Sequence, residues 1–457
     1  HRSDLRALLR LALPIVVVQV GMMTMGLVDT VMVGHLSAIA LAAVALGNLY
    51  FFGAIVFGMG VLMALDPVIS QAVGAGDLEG VSRGLQRGLL LAAALCVPTT
   101  LVMLPAGALL SLLGQPPEIV PLAEGYIRIS IPGVVGFYCF IVFRQTLQAI
   151  GRLRPIVWTI LGANAVNALF NWMLIFGHWG APALGVLGSA WATVAARSLM
   201  ALGLLCLAWP QLRPHLSPVR PAVFDLPPLW RMLRLGAPIG FQFQLEYNVF
   251  GVIGLLMGWI GATQMAAHQV ALNLASVTFM VPLGVSGAAT VLVGQAIGRG
   301  DQAGAWEAAK AALLVGFTFM ALSAVTLITV PGPIARLYTT VPGVVALAAL
   351  LIPMAGIFQV FDGLQVVSIG ILRGAGDTRT PMLINVLGFW LFGLPVSWYL
   401  GFRTGLGPLG LWWGLVVGLV VVALLLVLRV RARFRGTIRR VLIDHAPRTL
   451  PETDFPR

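Results

Sequence analysis

Three carboxylic acids stand inside long apolar stretches of this chain: Asp29, Glu246 and Asp362. A carboxylate near the middle of a bilayer costs roughly 2.5–3.5 kcal/mol or more. Such a group persists where it faces an internal cavity and takes up a proton, a metal cation or a cationic substrate. Asp29 lies in Gly26-Leu-Val-Asp-Thr-Val-Met-Val-Gly34. Helical spacing brings Met22, Met25, Met32 and Val33 near its face. Thioethers are flexible and polarizable, and with a carboxylate they suit an amphipathic cation; ordinary packing is the competing reading. Asn164, Asn167 and Asn171, spaced by three and four, form one helical stripe. They either tie helices together or hold Asp29. Glu246 follows Gln242 at i−4, and Asp362 is flanked by Gln359 and Gln365 at i−3 and i+3. Carboxylate and amide oxygens suit hard cations, so Glu246 and Asp362 together make a candidate Na⁺ or proton site. The competing reading pairs these acids with Arg144 or Arg197. Asp66, before Pro67, reads as lying toward a membrane surface, and no role is assigned to it.

The elements that carry these acids follow from composition. The 457 residues are 59% hydrophobic and 10% charged, where soluble domains carry about 25% charged residues. Lipid must cover most of the surface. Apolar stretches recur from Leu11 to Leu428, each long enough to cross about 30 Å of hydrocarbon. Backbone groups in lipid must be satisfied internally, and continuous rather than alternating apolar runs select helices. Twelve spans are expected near 11–33, 40–70, 88–113, 120–147, 155–177, 184–209, 230–257, 264–296, 311–330, 343–371, 381–401 and 408–430. The first is too long for the apolar core of a cleavable signal peptide.

The net charge of +12 is carried almost wholly by arginine. The arginines are scattered between spans rather than gathered on a polar domain, which argues against nucleic acid. They crowd alternate connectors and the basic tail, at Arg83, Arg87, Arg152, Arg154, Arg213, Arg220, Arg299, Arg373, Arg379 and onward from Arg431. The positive-inside bias places that side, with both termini, in the cytoplasm. Trp158, Trp172, Trp179, Trp398, Trp412 and Trp413 read as interface anchors, and His268 as a packing residue. Three cysteines without metal-ligand spacing read as buried thiols. No nucleophile elbow, phosphate-binding loop or zinc spacing appears, so an enzyme is not expected.

The chain repeats itself. Gln71-Ala-Val-Gly-Ala-Gly-Asp77 returns as Gln295-Ala-Ile-Gly-Arg-Gly-Asp301, an offset of 224 residues (295 − 71). Pro14-Ile15 matches Pro238-Ile239 at the same offset (238 − 14), and Ile131-Pro132 matches Ile352-Pro353 at 221 (352 − 131), which suggests matched kinks. Six spans separate the copies, so the repeat is parallel. The expected plan is a lobe over 1–209, a proline-rich linker over 210–229, a second lobe over 230–431 and a basic tail over 432–457.

These residues resemble the multidrug and toxic compound extrusion (MATE) family, in its NorM-like branch. The resemblance spans about residues 10–430 and rests on Gly26–Gly34, the paired Gln-Ala-x-Gly-x-Gly-Asp loops, Met280-Val-Pro-Leu-Gly284, Phe361-Asp-Gly-Leu-Gln365 and Leu372-Arg-Gly-Ala-Gly-Asp377. It implies an all-α membrane protein, a V-shaped pair of pseudo-symmetric six-helix lobes, which expels cationic drugs in exchange for Na⁺ or H⁺. It further implies that Asp29, Glu246 and Asp362 are the functional acids, with Asn167 and Asn171 beside the first. The site expected from residues and resemblance together is Asp29, Glu246 and Asp362 for coupling, with Asp29, Met25, Met32, Asn167, Asn171, Gln242 and Gln359 for substrate. Na⁺, if it is the ion, falls to Glu246 and Asp362. No resident cofactor is expected. A monomer in the bacterial inner membrane is. A lipid or polysaccharide-precursor flippase is the alternative, and its anionic cargo would favour arginines over acids.

Overall fold

A computed structural model describes residues 2–445; the end of the basic tail, 446–457, lies outside the described residues. The regular elements among them are helical: α1 (Arg2–Gly34), α2 (Ala38–Leu62), α3 (Leu65–Gly74), α4 (Leu78–Met103), α5 (Ala106–Leu112), α6 (Val120–Ser130), α7 (Pro132–Ile150), α8 (Arg154–Phe176), α9 (Val186–Leu207) and α10 (Trp209–Leu216). A 3₁₀ turn, Pro221–Phe224, leads to α11 (Leu226–Ile260), α12 (Ala262–Gly298), α13 (Gln302–Thr329), α14 (Pro331–Tyr338) and α15 (Pro342–Gly374). Next come α16 (Arg379–Asn385), a π-helical stretch (Val386–Gly393), α17 (Leu394–Phe402) and α18 (Pro408–Arg435). Twelve of the resulting spans are long and apolar enough to cross a membrane.

The span count and order agree with the sequence, and the details differ at prolines. The third span begins at Leu78 and ends at Met103, just before Pro105, with α5 following as a short separate helix. Pro132 opens a break between α6 and α7, where a residue without an N–H is accepted at the first helical position. Its repeat mate Pro353 sits inside an unbroken α15. The two prolines are therefore not matched kinks.

The repeated loops explain their own composition. Gly76 (φ +71°) and Gly300 (φ +75°) take the left-handed conformation that ends one helix. Asp77 and Asp301 then cap the next, each Oδ1 accepting from the backbone N–H three residues on, at 2.9 Å. The first glycine of each loop marks a crossing of backbones. A Cβ on Gly74 would stand 1.9 Å from the Gln295 carbonyl oxygen, and one on Gly298 would stand 2.0 Å from that of Gln71.

The lobes meet through α1 against α12 and α2 against α11. Gly60 faces Gly240, and Gly284, 224 residues after Gly60 (284 − 60), faces Val16. Small residues let these helices approach closely. At the arginine-rich end the contact becomes polar. Gln71 Nε2 donates to the Gly374 carbonyl at 2.9 Å, and Gln295 Nε2 donates to that of Ala149 at 2.8 Å. The tail beyond α18 lies across both lobes. Ile438 N–H donates to Gln302 and Val441 N–H to Gln71 Oε1, Arg440 pairs with Asp77, and Asp444 pairs with Arg83 and Arg87. Away from that end, Tyr247 Oη donates across the lobes to the Leu49 carbonyl at 2.8 Å.

Candidate functional site

Asp29 is buried at 2% exposure, on the face of α1 that packs against α8 and α9. Asn167 and Asn171, one turn apart on α8, donate to its Oδ1 at 2.8 and 2.7 Å. Thr193 of α9 lies 3.0 Å from Oδ2. The third asparagine, Asn164, instead ties the helices together by donating to the Gly21 carbonyl at 2.9 Å. The stripe thus divides between structural and site roles. Thr193 gives the site its chemistry. Its one hydroxyl hydrogen has two acceptors in reach, Asp29 Oδ2 and the Ser189 carbonyl at 2.9 Å. When Asp29 is ionised, Thr193 donates to it. When Asp29 carries a proton, the carboxyl donates to Thr193 Oγ1 and the hydroxyl turns to Ser189. Both protonation states are hydrogen-bonded without moving a heavy atom.

Met25 is buried beside this site, and its carbonyl accepts from Asn167 at 3.4 Å. Met32 packs at the edge of a small cluster with Val33, Ala40, Tyr126 and Ile175. Met22 is met by Arg144, whose Nη1 lies 3.3 Å from the sulfur. Arg197 stacks over Phe51 at 4.0 Å.

The second lobe joins its two acids through one amide. Gln365 Nε2 donates to Glu246 Oε1 at 3.1 Å and to Asp362 Oδ1 at 3.3 Å, linking α11 to α15. Gln365 Oε1 is buried with no hydrogen-bond partner, as is Gln242 Nε2. Two carboxylates and an uncommitted amide oxygen are hard-ligand chemistry. Among the described residues no group of three or more His, Cys, Asp or Glu could hold a transition metal. Gln359 turns elsewhere: its Oε1 accepts from Thr278 at 2.7 Å and its Nε2 points to the Met320 carbonyl.

Neither Arg144 nor Arg197 forms an ion pair with these acids. Among the described residues, no basic side chain lies within ion-pair distance of Asp29, Glu246 or Asp362. Asp66 behaves differently. Only 4% exposed, it pairs across the lobes with Arg373 at 3.6 Å, so it sits in the protein interior rather than at a watery surface. Trp412 is also no interface anchor: it is fully buried, and its Nε1 donates to His268 Nδ1 at 3.1 Å. Thr193 and the bridging role of Gln365 were absent from the sequence-based site. Only the packing of α9 near α1 and the reach of Gln365 from α15 to Glu246 on α11 assign them.

The sequence pattern of the MatE family matches this chain twice, over residues 14–173 and 238–399. The two matches start 224 residues apart (238 − 14), the offset of the repeat. The chain is 40% identical over 435 residues to "Probable multidrug resistance protein NorM" of Rhodopseudomonas palustris, covering 94% of this chain and 92% of that one. It is 38% identical over 428 residues to "Multidrug resistance protein NorM" of Burkholderia vietnamiensis, covering 92% of each. Among solved structures, the fold matches that of the eukaryotic MATE transporter AtDTX14, with TM-score 0.87, 23% identity, and 94% and 96% of the two chains covered. It also matches the Vibrio cholerae MATE transporter VcmN in the bent form, with TM-score 0.83, 19% identity, and 95% and 98% covered. With paired six-span lobes, a repeat that the family pattern meets twice, and relatives matched along nearly their whole length, this chain belongs to the MatE family of membrane transporters.

Proposed function

We propose that this chain is a cation-coupled multidrug efflux antiporter of a bacterial inner membrane, with its arginine-rich end in the cytoplasm. It exports amphipathic, mostly cationic compounds by alternating access. The observation that carries this reading is the set of three interior acids, none ion-paired among the described residues. The NorM relatives, named for multidrug resistance, support the cargo.

Asp29, hydrogen-bonded in either protonation state, serves as the proton acceptor of the first lobe. Glu246 and Asp362, with Gln365 Oε1 and the adjacent Gln242, take up Na⁺ or a proton in the second. Met25 and Met32 give the apolar part of the cargo an adaptable surface, Asn167 and Asn171 orient the Asp29 charge that receives it, and Gln359 braces α15. Ion and drug oppose each other because they seek the same negative charge or favour opposite lobe arrangements. Exchange of one monovalent drug cation for one Na⁺ or H⁺ moves no net charge. A membrane potential, about 2.3 kcal/mol per charge per 100 mV, then adds nothing, and concentration gradients alone drive export.

The test is ethidium efflux from proteoliposomes with a sodium gradient and a proton gradient imposed separately. One of the two drives export in the native chain. Glu246→Gln and Asp362→Asn abolish it while the protein stays folded. Normal efflux from the double variant would falsify the assignment.

A further inference from the structure

At the arginine-rich end, the start of α13 and the end of α18 enclose an open depression of about 460 Å³. Gln302, Ala303, Trp306, Arg431, Phe434 and Arg435 line it. The Trp306 and Phe434 rings, 5.3 Å apart and tilted by 39°, form its apolar wall. Gln302 holds that wall in place by donating to the carbonyls of Phe434 and Gly436, the latter at 2.6 Å.

Arg431 and Arg435 stand one turn apart on the same face of α18, both exposed. Of the basic residues nearby, Arg429 pairs with Asp377, Arg440 with Asp77 and Lys310 with Glu307, while Arg433, between the two, is paired with no acid among the described residues. Among the described residues, Arg431 and Arg435 have no acid within ion-pair distance. Arg431 and Arg435 thus line, without an acid, the same depression as the Trp306 and Phe434 rings, where α13 begins and α18 ends. Charge that merely sets topology needs neither a cavity nor an aromatic wall beside it.

We propose that this depression binds the headgroup of an anionic phospholipid from the adjacent leaflet. The guanidiniums hold the phosphate, and the first acyl carbons lie on Trp306 and Phe434. The aromatic wall offers an inorganic anion nothing, which selects lipid over free phosphate.

The test is native mass spectrometry of the full chain released from mixed micelles holding equal phosphatidylglycerol and phosphatidylcholine. The native chain retains phosphatidylglycerol in preference to phosphatidylcholine. Arg431→Gln/Arg435→Gln weakens that retention by roughly thirtyfold, about fivefold for each arginine beside a charged surface. Arg439→Gln, outside the depression, leaves it unchanged. If the double variant fails to fold, each single variant must show its own loss. Equal retention of the two lipids, undiminished retention in the glutamine variants, or displacement by inorganic phosphate would each overturn the proposal.

Discussion

One amide nitrogen, Gln365 Nε2, stands between Glu246 and Asp362 and serves both. Hydrogen bonds to charged groups are each worth about 1.5–3 kcal/mol, so its loss unties the pair and lowers stability as well. Gln365→Leu is expected to cut ion-driven export at least tenfold and to lower the unfolding midpoint, while Gln365→Glu, which cannot donate an N–H, should lose export as well; activity assays beside melting curves check this. Thr193 makes a different prediction. Thr193→Val removes the oxygen that accepts a hydrogen bond from protonated Asp29, so proton-driven export should fall. Thr193→Ser should restore it, since only the hydroxyl is used. Equal loss in both variants would point to packing instead. The acids were readable in the sequence because charge in an apolar run has few explanations. The asparagine stripe was readable too, because spacings of three and four fix a face. Thr193 was not, since a threonine in an apolar span has no signature until the rotation of α9 is known. The same holds for Gln359, whose neighbour in sequence is Asp362 and whose partners in space are Thr278 and Met320.

The Gln-Ala-x-Gly-x-Gly-Asp loops are elements with every marked position occupied: a glutamine that crosses the lobes, a glycine at a backbone crossing, a left-handed glycine and a capping aspartate. Each amide–carbonyl bond contributes about 0.5–1.5 kcal/mol. Gln71→Leu/Gln295→Leu should therefore shift the lobes away from the arrangement closed at the arginine-rich end, measured as longer spin-label distances between that end's connectors. The tail adds a charge-dependent contact. Partial burial pushes the Asp444 carboxyl up, but the guanidiniums of Arg87 and Arg83 outweigh this and hold it below its usual value. A lowered carboxyl stabilises its contact above the ordinary carboxylate range and loses it only as pH falls through the lowered value. The hydrogen-exchange protection of residues 438–444, each rate taken relative to the unfolded chain at the same pH, should then hold from about pH 5 to 8 and fall only in stronger acid. Asp444→Asn should lower that protection at neutral pH. The repeat made the loops visible in sequence. The strap was not visible, because nothing in a basic tail says which acids and amides it will cross.

At the scale of the whole chain, twelve spans and a parallel repeat were legible from apolar length and a fixed offset, while the meeting of the lobes was not. Asp66 shows why: its partner Arg373 is on another lobe, and no local pattern joins them. Removing one member of a buried pair strands the other at roughly 3–5 kcal/mol. Arg373→Met should lower stability by that order in denaturant unfolding, and Asp66→Leu/Arg373→Met should recover much of it. A full recovery in stability with lost export would separate the pair's part in motion from its part in folding. The crossing of Gly74 with Gln295 and of Gly298 with Gln71 carries a further mechanical result. Each glutamine offers its own carbonyl to the opposing glycine while its amide grips a third helix end. Sliding either lobe by a fraction of a turn spoils both grips together, so the joint has no comfortable halfway position. On this geometry it would act as a detent, holding the seated position until both grips let go together.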